Sequence, residues 1–242
     1  MKERTTMNFF VTPDIHGCIS PLNQLLKNWR PDRETFIQLG DMVDRGPNSL
    51  AVIRQIIKIK TEYNGIAIKG NHEEMFLYFL DEPEVEADFY FSKGGRETVD
   101  SFFSTPVAYL RTPTYIADYI KENYAEEIAF LRYLPDYYSH ESWVFVHAGV
   151  NLTLGNWKNS TEKDFRWKNN LFLYEKNESS YKYVFGHIPT ENLHEDRRTD
   201  VWISSCQTKF GLDGGVVYGG QLNGMRITGD EYEFVSVGKD EV

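Results

Sequence analysis

Thr35-Phe36-Ile37-Gln38-Leu39-Gly40-Asp41-Met42-Val43-Asp44-Arg45-Gly46 is a short strand-like run that stops at a glycine and opens into a polar turn. Upstream, Asn8-Phe9-Phe10-Val11 has the same strand character and leads to Asp14-Ile15-His16-Gly17. Downstream, the turn signal Asn64-Gly65 precedes Ile66-Ala67-Ile68, which leads to Gly70-Asn71-His72-Glu73. Helical patterns fill the gaps. One spans Pro21 to Trp29, with Ser20 as N-cap and Pro21 at the first helical position. The other carries Leu50, Ile53, Ile56 and Ile57 at helical spacing. This β-α-β-α-β alternation predicts right-handed crossovers and a parallel sheet. Ligands of such a sheet gather at the carboxyl ends of its strands, where the polar residues of this chain cluster.

From about 74 to 138 the chain reads as a mainly helical, aromatic-rich insertion, with a solvated acidic loop from Asp81 to Asp88. Strand patterns resume at Trp143 to Val146 and at Tyr183 to Phe185. Short segments after Asp200, separated by turns such as Asp213-Gly214-Gly215 and Gly219-Gly220, predict an antiparallel portion or a second sheet. With no repeat, heptad array or linker signal, residues 1–242 are expected to form one domain.

Of 242 residues, 41% are hydrophobic and 26% charged, which excludes disordered and collagenous classes. No apolar run approaches the roughly 18 residues of a membrane span. Polar Met1 to Thr6 passes straight into a strand without the pattern of a secretory signal. A cytoplasmic protein with no membrane partner is expected. The formal net charge of -10 repels a phosphate backbone, so nucleic acid is not an expected partner. Two cysteines, Cys18 and Cys206, are too few for a disulfide scaffold; Cys18 is expected to be a small buried packing residue.

The chemistry concentrates at five strand ends: Asp14 to Gly17, Gly40 to Gly46, Gly70 to Glu73, His147-Ala148-Gly149 and Gly186-His187. A glycine accompanies each, permitting the tight turns that let short side chains converge. Any one Asp or His after a strand is ordinarily a cap or a hydrogen-bonded core residue. Five together point to a shared metal site. Carboxylate and amide oxygens mixed with imidazole nitrogens, without thiolate, suit manganese, iron or zinc in an open site.

With Gly40 to Gly46, Lys69 to Glu73, Phe145 to Gly149, Gly186-His187, Asp213 to Gly215 and Tyr218 to Gly220 in that order, the chain resembles the phosphoprotein phosphatase branch of the calcineurin-like metallophosphoesterases. Within it, the likeness is to bacterial and phage-type serine/threonine phosphatases similar to lambda phosphatase. The resemblance implies an α/β fold of two mixed β-sheets packed as a sandwich and flanked by helices. It assigns Asp14, His16 and Asp41 to a first divalent metal and Asp41, Asn71, His147 and His187 to a second, with Asp41 bridging. Manganese is the expected metal, with iron or zinc as alternatives. Two such ions roughly 4 Å apart would lower the pKa of a bridging water and clamp an in-line displacement. Against two carboxylates they leave a net charge of about +2, suited to a hydroxide and a phosphoryl dianion. The resemblance further makes His72 the proton donor to the leaving alkoxide, with Asp44 holding its imidazolium. Arg45 offers a planar fork to phosphoryl oxygens. Glu73 is expected to support the loop.

The chain departs from the pattern at three points. Lys69 stands where many relatives carry arginine before Gly-Asn-His-Glu, keeping a phosphate-binding charge without the fork. Trp167-Lys168-Asn169 stands where relatives carry Trp-x-Arg, so Arg166 or Lys168 is expected to fill the gap, Arg166 being the better clamp. Pro13 replaces the usual small residue before Asp14. His140 and His194 have no place in the pattern. The implied activity is a phosphomonoesterase acting on phosphoserine or phosphothreonine in a protein, peptide or small phosphoester. Its rival is a diadenosine tetraphosphate hydrolase cleaving a phosphoanhydride; from another class, the rival is a catalytically weak module that binds phosphorylated partners.

Overall fold

The structure, a computed structural model, describes residues 7–167 and 170–238. Two five-stranded sheets pack face to face. The first has the order β10-β9-β1-β2-β3, built from β1 (Asn8–Thr12), β2 (Thr35–Gln38), β3 (Ile66–Ala67), β9 (Gln221–Thr228) and β10 (Glu231–Gly238). The second has the order β4-β5-β6-β8-β7, built from β4 (Tyr137–His140), β5 (Trp143–Val146), β6 (Lys182–Phe185), β7 (Trp202–Ile203) and β8 (Lys209–Gly211). β1, β2 and β3 pair in parallel, as do β5, β6 and β8; the remaining pairs are antiparallel, so both sheets are mixed.

Strand alternation builds the layers. In β1, Phe9 and Val11 face the second sheet, where they meet Trp143, Phe145, Val184 and Phe210, while Phe10 faces helices on the other side. In β5 and β6, Val144, Val146, Tyr183 and Phe185 face outward onto Trp157, Phe165 and Phe172. These two outer layers hold α1 (Ile19–Leu25) and α2 (Ser49–Tyr63) on the first sheet, and α8 (Glu162–Arg166) and α9 (Asn170–Tyr174) by the second. α2 ends at Asn64, whose φ of 55° makes it the left-handed C-cap that the Asn64-Gly65 signal announced.

Three expectations need correction. α1 starts at Ile19 with Cys18 as N-cap, so Ser20 is no cap and Pro21 is the third helical residue. The cause lies upstream: Gly17 N donates to Met42 O and Gly17 O accepts from Asn48 N, so the pinned turn feeds the helix early. Pro21 fits there because first-turn N–H groups lack intrahelical partners. The acidic stretch is helical rather than looped. α3 (Asn71–Asp81) runs into it, and α4 (Pro83–Ser92) starts with Pro83 at its N-terminus and Glu84 and Glu86 in its first turn, where carboxylates suit the helix dipole. Finally, the helical segment runs from Asn71 to Arg132 through α5 (Gly95–Ser101), α6 (Pro113–Asn123) and α7 (Ala125–Arg132), and Tyr137 and Tyr138 belong to β4. No helix among the described residues is long and apolar enough to cross a membrane.

Candidate active site

The ends of β1, β2, β3, β5 and β6 deliver Asp14 and His16, Asp41, Asn71 and His72, His147, and His187 to one buried point between the sheets. The chain is bent hard there. His16, Asp41, Asp44, Arg45 and His187 all have positive φ, between 45° and 72°. Each non-glycine residue in that region costs about 1–3 kcal/mol, and such strain gathers where side chains must be aimed. Glycines allow the approach: a Cβ on Gly186 would lie 2.0 Å from Asp14 Oδ1, and one on Gly70 2.2 Å from Asp41 Oδ1. Glu73 holds the second and third turns together, its carboxylate accepting from the N–H groups of Asp41, Met42 and Gly70 at 2.7–2.9 Å.

Two ligand groups share Asp41. His16, Asp41 and His72 form one, and Asp41, His147 and His187 the other, with ligand atoms in each within 4.8 Å of one another. Asn71 Oδ1 joins the second, 3.0 Å from both His147 Nε2 and His187 Nδ1. Asp14 accepts from His187 N with both oxygens, at 2.9 and 3.0 Å. Donor chemistry tests the fit of a metal. His16 Nδ1 is 2.7 Å from Val43 O and His147 Nδ1 is 2.9 Å from Leu39 O, so each ring donates there and keeps its lone pair on Nε2. The His147 lone pair then faces Asn71 Oδ1 and, at 3.4 Å, Asp41 Oδ1. Acceptors facing acceptors call for a cation, and the donor set fits divalent metals.

The electrostatics agree. Burial holds His16 and His147 well below the ordinary histidine value, and neighbouring imidazoles add to this; neutral rings are the metal-binding form. Burial also pushes Asp14 and Asp41 well above the ordinary carboxyl range, reinforced at Asp14 by Asp213 and Asp41 and at Asp41 by Glu73. Carboxylates so placed need adjacent positive charge to remain ionised.

His72 points its Nε2 into the cluster while Nδ1 lies 2.6 Å from Asp44 Oδ2. Burial raises the Asp44 carboxyl to about 7, opposed by hydrogen bonds from Tyr90 and Thr98 and by the charge of Arg45. Tyr90 Oη and Thr98 Oγ1 donate to Asp44 Oδ1 at 2.6 and 2.7 Å, and Ser49 Oγ and Thr98 Oγ1 accept from Asp44 N. Arg45 Nη1 contacts His16 Nε2, setting a cation against the lone pair of that ring.

The three basic candidates part company. Arg45 adjoins the cluster. Lys69 Nζ donates to Arg132 O at 2.8 Å. Arg166 is engaged by protein groups: its guanidinium binds Asp136 at 2.6–2.7 Å, Glu74 at 2.5 Å and Glu162 at 3.2 Å, and the Trp167 indole donates to the same Glu74. Lys168 and Asn169 lie outside the described residues. The sequence reading missed Ser49, Tyr90 and Thr98. Tyr90 and Thr98 carry no signal, since each looks like an ordinary residue of an aromatic helical segment. His140 packs edge-on against Phe9 and His194 hydrogen-bonds Asp200 O.

A family model described as calcineurin-like phosphoesterase matches residues 7–222. Among curated proteins, the bis(5'-nucleosyl)-tetraphosphatase PrpE of Bacillus cereus strain Q1 is 26% identical over 262 residues, covering 96% of this chain and 94% of its own length. Serine/threonine-protein phosphatase 1 of Salmonella typhimurium strain LT2 is 39% identical over 70 residues, covering 28% of this chain and 31% of its own. Among solved structures, a proposed diadenosine tetraphosphatase covers all of this chain and 97% of its own at a TM-score of 0.67 and 18% identity, a likeness of fold.

Proposed function

The chain belongs to the calcineurin-like phosphoesterase family, and we propose that its substrate is a bis(5'-nucleosyl) tetraphosphate, cleaved at a phosphoanhydride bond. It is a metal-dependent hydrolase of phosphoric ester bonds. The observation that carries the substrate proposal is a second basic residue next to Arg45: Lys93 directly precedes Gly94, whose carbonyl accepts from Arg45 N at 2.9 Å. A polyphosphate chain brings further anionic groups for Lys93 to meet. Relatives matched end to end and named as tetraphosphatases support the same choice. Phosphoserine or phosphothreonine hydrolysis is the second reading, favoured by the 70-residue match to a serine/threonine-protein phosphatase.

When bound, two divalent ions, manganese in this proposal, supply Lewis acidity and a water acidic enough to attack at neutral pH. His16 and Asp41 would hold one, with Asp14 beside them as the family resemblance implies, and Asp41, Asn71, His147 and His187 the other; His72, whose Nε2 also lies with His16 and Asp41, is kept for proton transfer by the Asp44 contact at its Nδ1. Arg45 binds two phosphoryl oxygens and aligns the scissile bond with the attacking oxygen. As the new P–O bond forms, the leaving oxygen takes the electron pair of the old one and a proton from His72 Nε2. Burial, then Arg45 and Lys93, disfavour the imidazolium, and Asp44, accepting from Nδ1, opposes them and holds the ring in the protonated form from which it donates. The proton matters most for a poor leaving group such as an alkoxide and less for a phosphate. A panel of bis(5'-adenosyl) tetraphosphate, a phosphoserine peptide and p-nitrophenyl phosphate, run with Mn²⁺, tests the proposal. The highest kcat/KM on the tetraphosphate is the expected result; a higher value on the peptide overturns it in favour of the second reading.

A further inference from the structure

We infer that Tyr218 is a positioning residue for phosphoryl binding, holding the guanidinium of Arg45 at the metal cluster through its ring face. The inference rests on the role proposed for Arg45. The guanidinium carbon lies 5.4 Å from the Tyr218 ring centroid, within cation–π range. Tyr218 is 64% exposed, so its ring is not filling the core.

The backbone around it is built to keep the ring there. Asp213 Oδ1 accepts from Gly215 N at 2.9 Å, Tyr218 N donates to Gly215 O at 2.9 Å, and Gly220 N donates to the same carbonyl at 3.1 Å. The tyrosine therefore rides on a closed turn anchored to a buried carboxylate at the end of β8. Arg45 is held at its own backbone by Gly94 O, which accepts from Arg45 N at 2.9 Å. A long arginine side chain carries about 2 kcal/mol of rotamer entropy, and anchoring its N–H leaves the far end free to wander. Tyr218 on one side and His16 on the other confine that end. A clamp confined before substrate arrives binds phosphate more tightly than one ordered on binding.

The ordinary alternatives are a surface tyrosine with no role and a tyrosine whose hydroxyl itself touches substrate. Inorganic phosphate, as a competitive inhibitor of the Mn²⁺-loaded enzyme, separates all three. Tyr218→Leu is expected to raise the phosphate inhibition constant and KM about two- to fivefold, the span of an exposed cation–π contact, with bound metal unchanged. Tyr218→Phe keeps the ring and is expected to restore the natural values. In an Arg45→Ala background, Tyr218→Leu is expected to add no further loss, because the residue acts through the arginine. An equal loss in both backgrounds, or a loss in Tyr218→Phe as large as in Tyr218→Leu, overturns the inference. Failure of the underlying reading looks different: Arg45→Ala would then leave the phosphate inhibition constant unchanged.

Discussion

His72 Nδ1 and Asp44 Oδ2 lie 2.6 Å apart in a wholly buried pair, and Asp44 is itself fixed by Tyr90 and Thr98. The imidazole therefore has one orientation, with Nε2 turned to the ligand cluster. His72→Asn is expected to retain metal and to slow an alkyl phosphate at least tenfold more than p-nitrophenyl phosphate, whose leaving group needs less protonation. Equal slowing of the two would mean that the ring acts through binding or metal geometry. Tyr90→Phe, which removes one of the hydrogen bonds to Asp44, is expected to show the same substrate bias in weaker form.

Gly186 and Asp14 provide a test of the ligand geometry that touches no ligand directly. A methyl group at Gly186 would collide with Asp14 Oδ1, which is pinned by His187 N. Gly186→Ala is expected to weaken Mn²⁺ binding at least tenfold. The measurement is a Mn²⁺ titration of activity alongside the melting temperature. Unchanged Mn²⁺ affinity would remove Asp14 from the metal site.

Arg166 is a tie between elements distant in sequence, and its loss strands Glu74 and Asp136. Losing charge-assisted hydrogen bonds in a partly buried network of this kind costs about 1.5–3 kcal/mol. Arg166→Ala is expected to lower the melting temperature strongly while kcat/KM per folded molecule stays within about threefold. A large fall in kcat/KM at an unchanged melting temperature would return Arg166 to the phosphate site.

Cys206 is exposed, and its thiol is brought down to about 7: burial raises it, but the hydrogen bonds of Ser204, Thr208 and the Thr208 and Asn177 backbones together outweigh this. The thiolate fraction, and with it the rate of alkylation by iodoacetamide, is expected to rise through a midpoint near pH 7. Cys18 is buried and is expected to stay unmodified in the folded protein. A midpoint above 8, measured by mass spectrometry of the Cys206 peptide, would refute this, and Ser204→Ala is expected to move it upward.

Much of the fold was legible because one local rule repeats. A strand of β-branched and aromatic residues ends in glycine beside Asp, Asn or His, and five such ends in parallel-sheet order leave few ways to converge. What stayed hidden was of two kinds. The left-handed backbone of His16, Asp41, Asp44, Arg45 and His187 has no residue-type signature, since the neighbouring glycines announce a turn without saying which residue bears the strain. The partners of Asp44 and Arg166 are non-local. Thr98 lies 54 positions from Asp44 and Glu74 lies 92 from Arg166, so the groups that tertiary packing brings to these two side chains have no local signature.

The sharing of Asp41 between two ligand groups is the centre of this account, and metal counting tests it most directly. Elemental analysis of the protein after equilibration with saturating Mn²⁺ and removal of unbound metal is expected to give two ions per chain, and Asp41→Asn, which removes a charge common to both groups, fewer than one. One ion per natural chain, or two retained by Asp41→Asn, would contradict the dinuclear site.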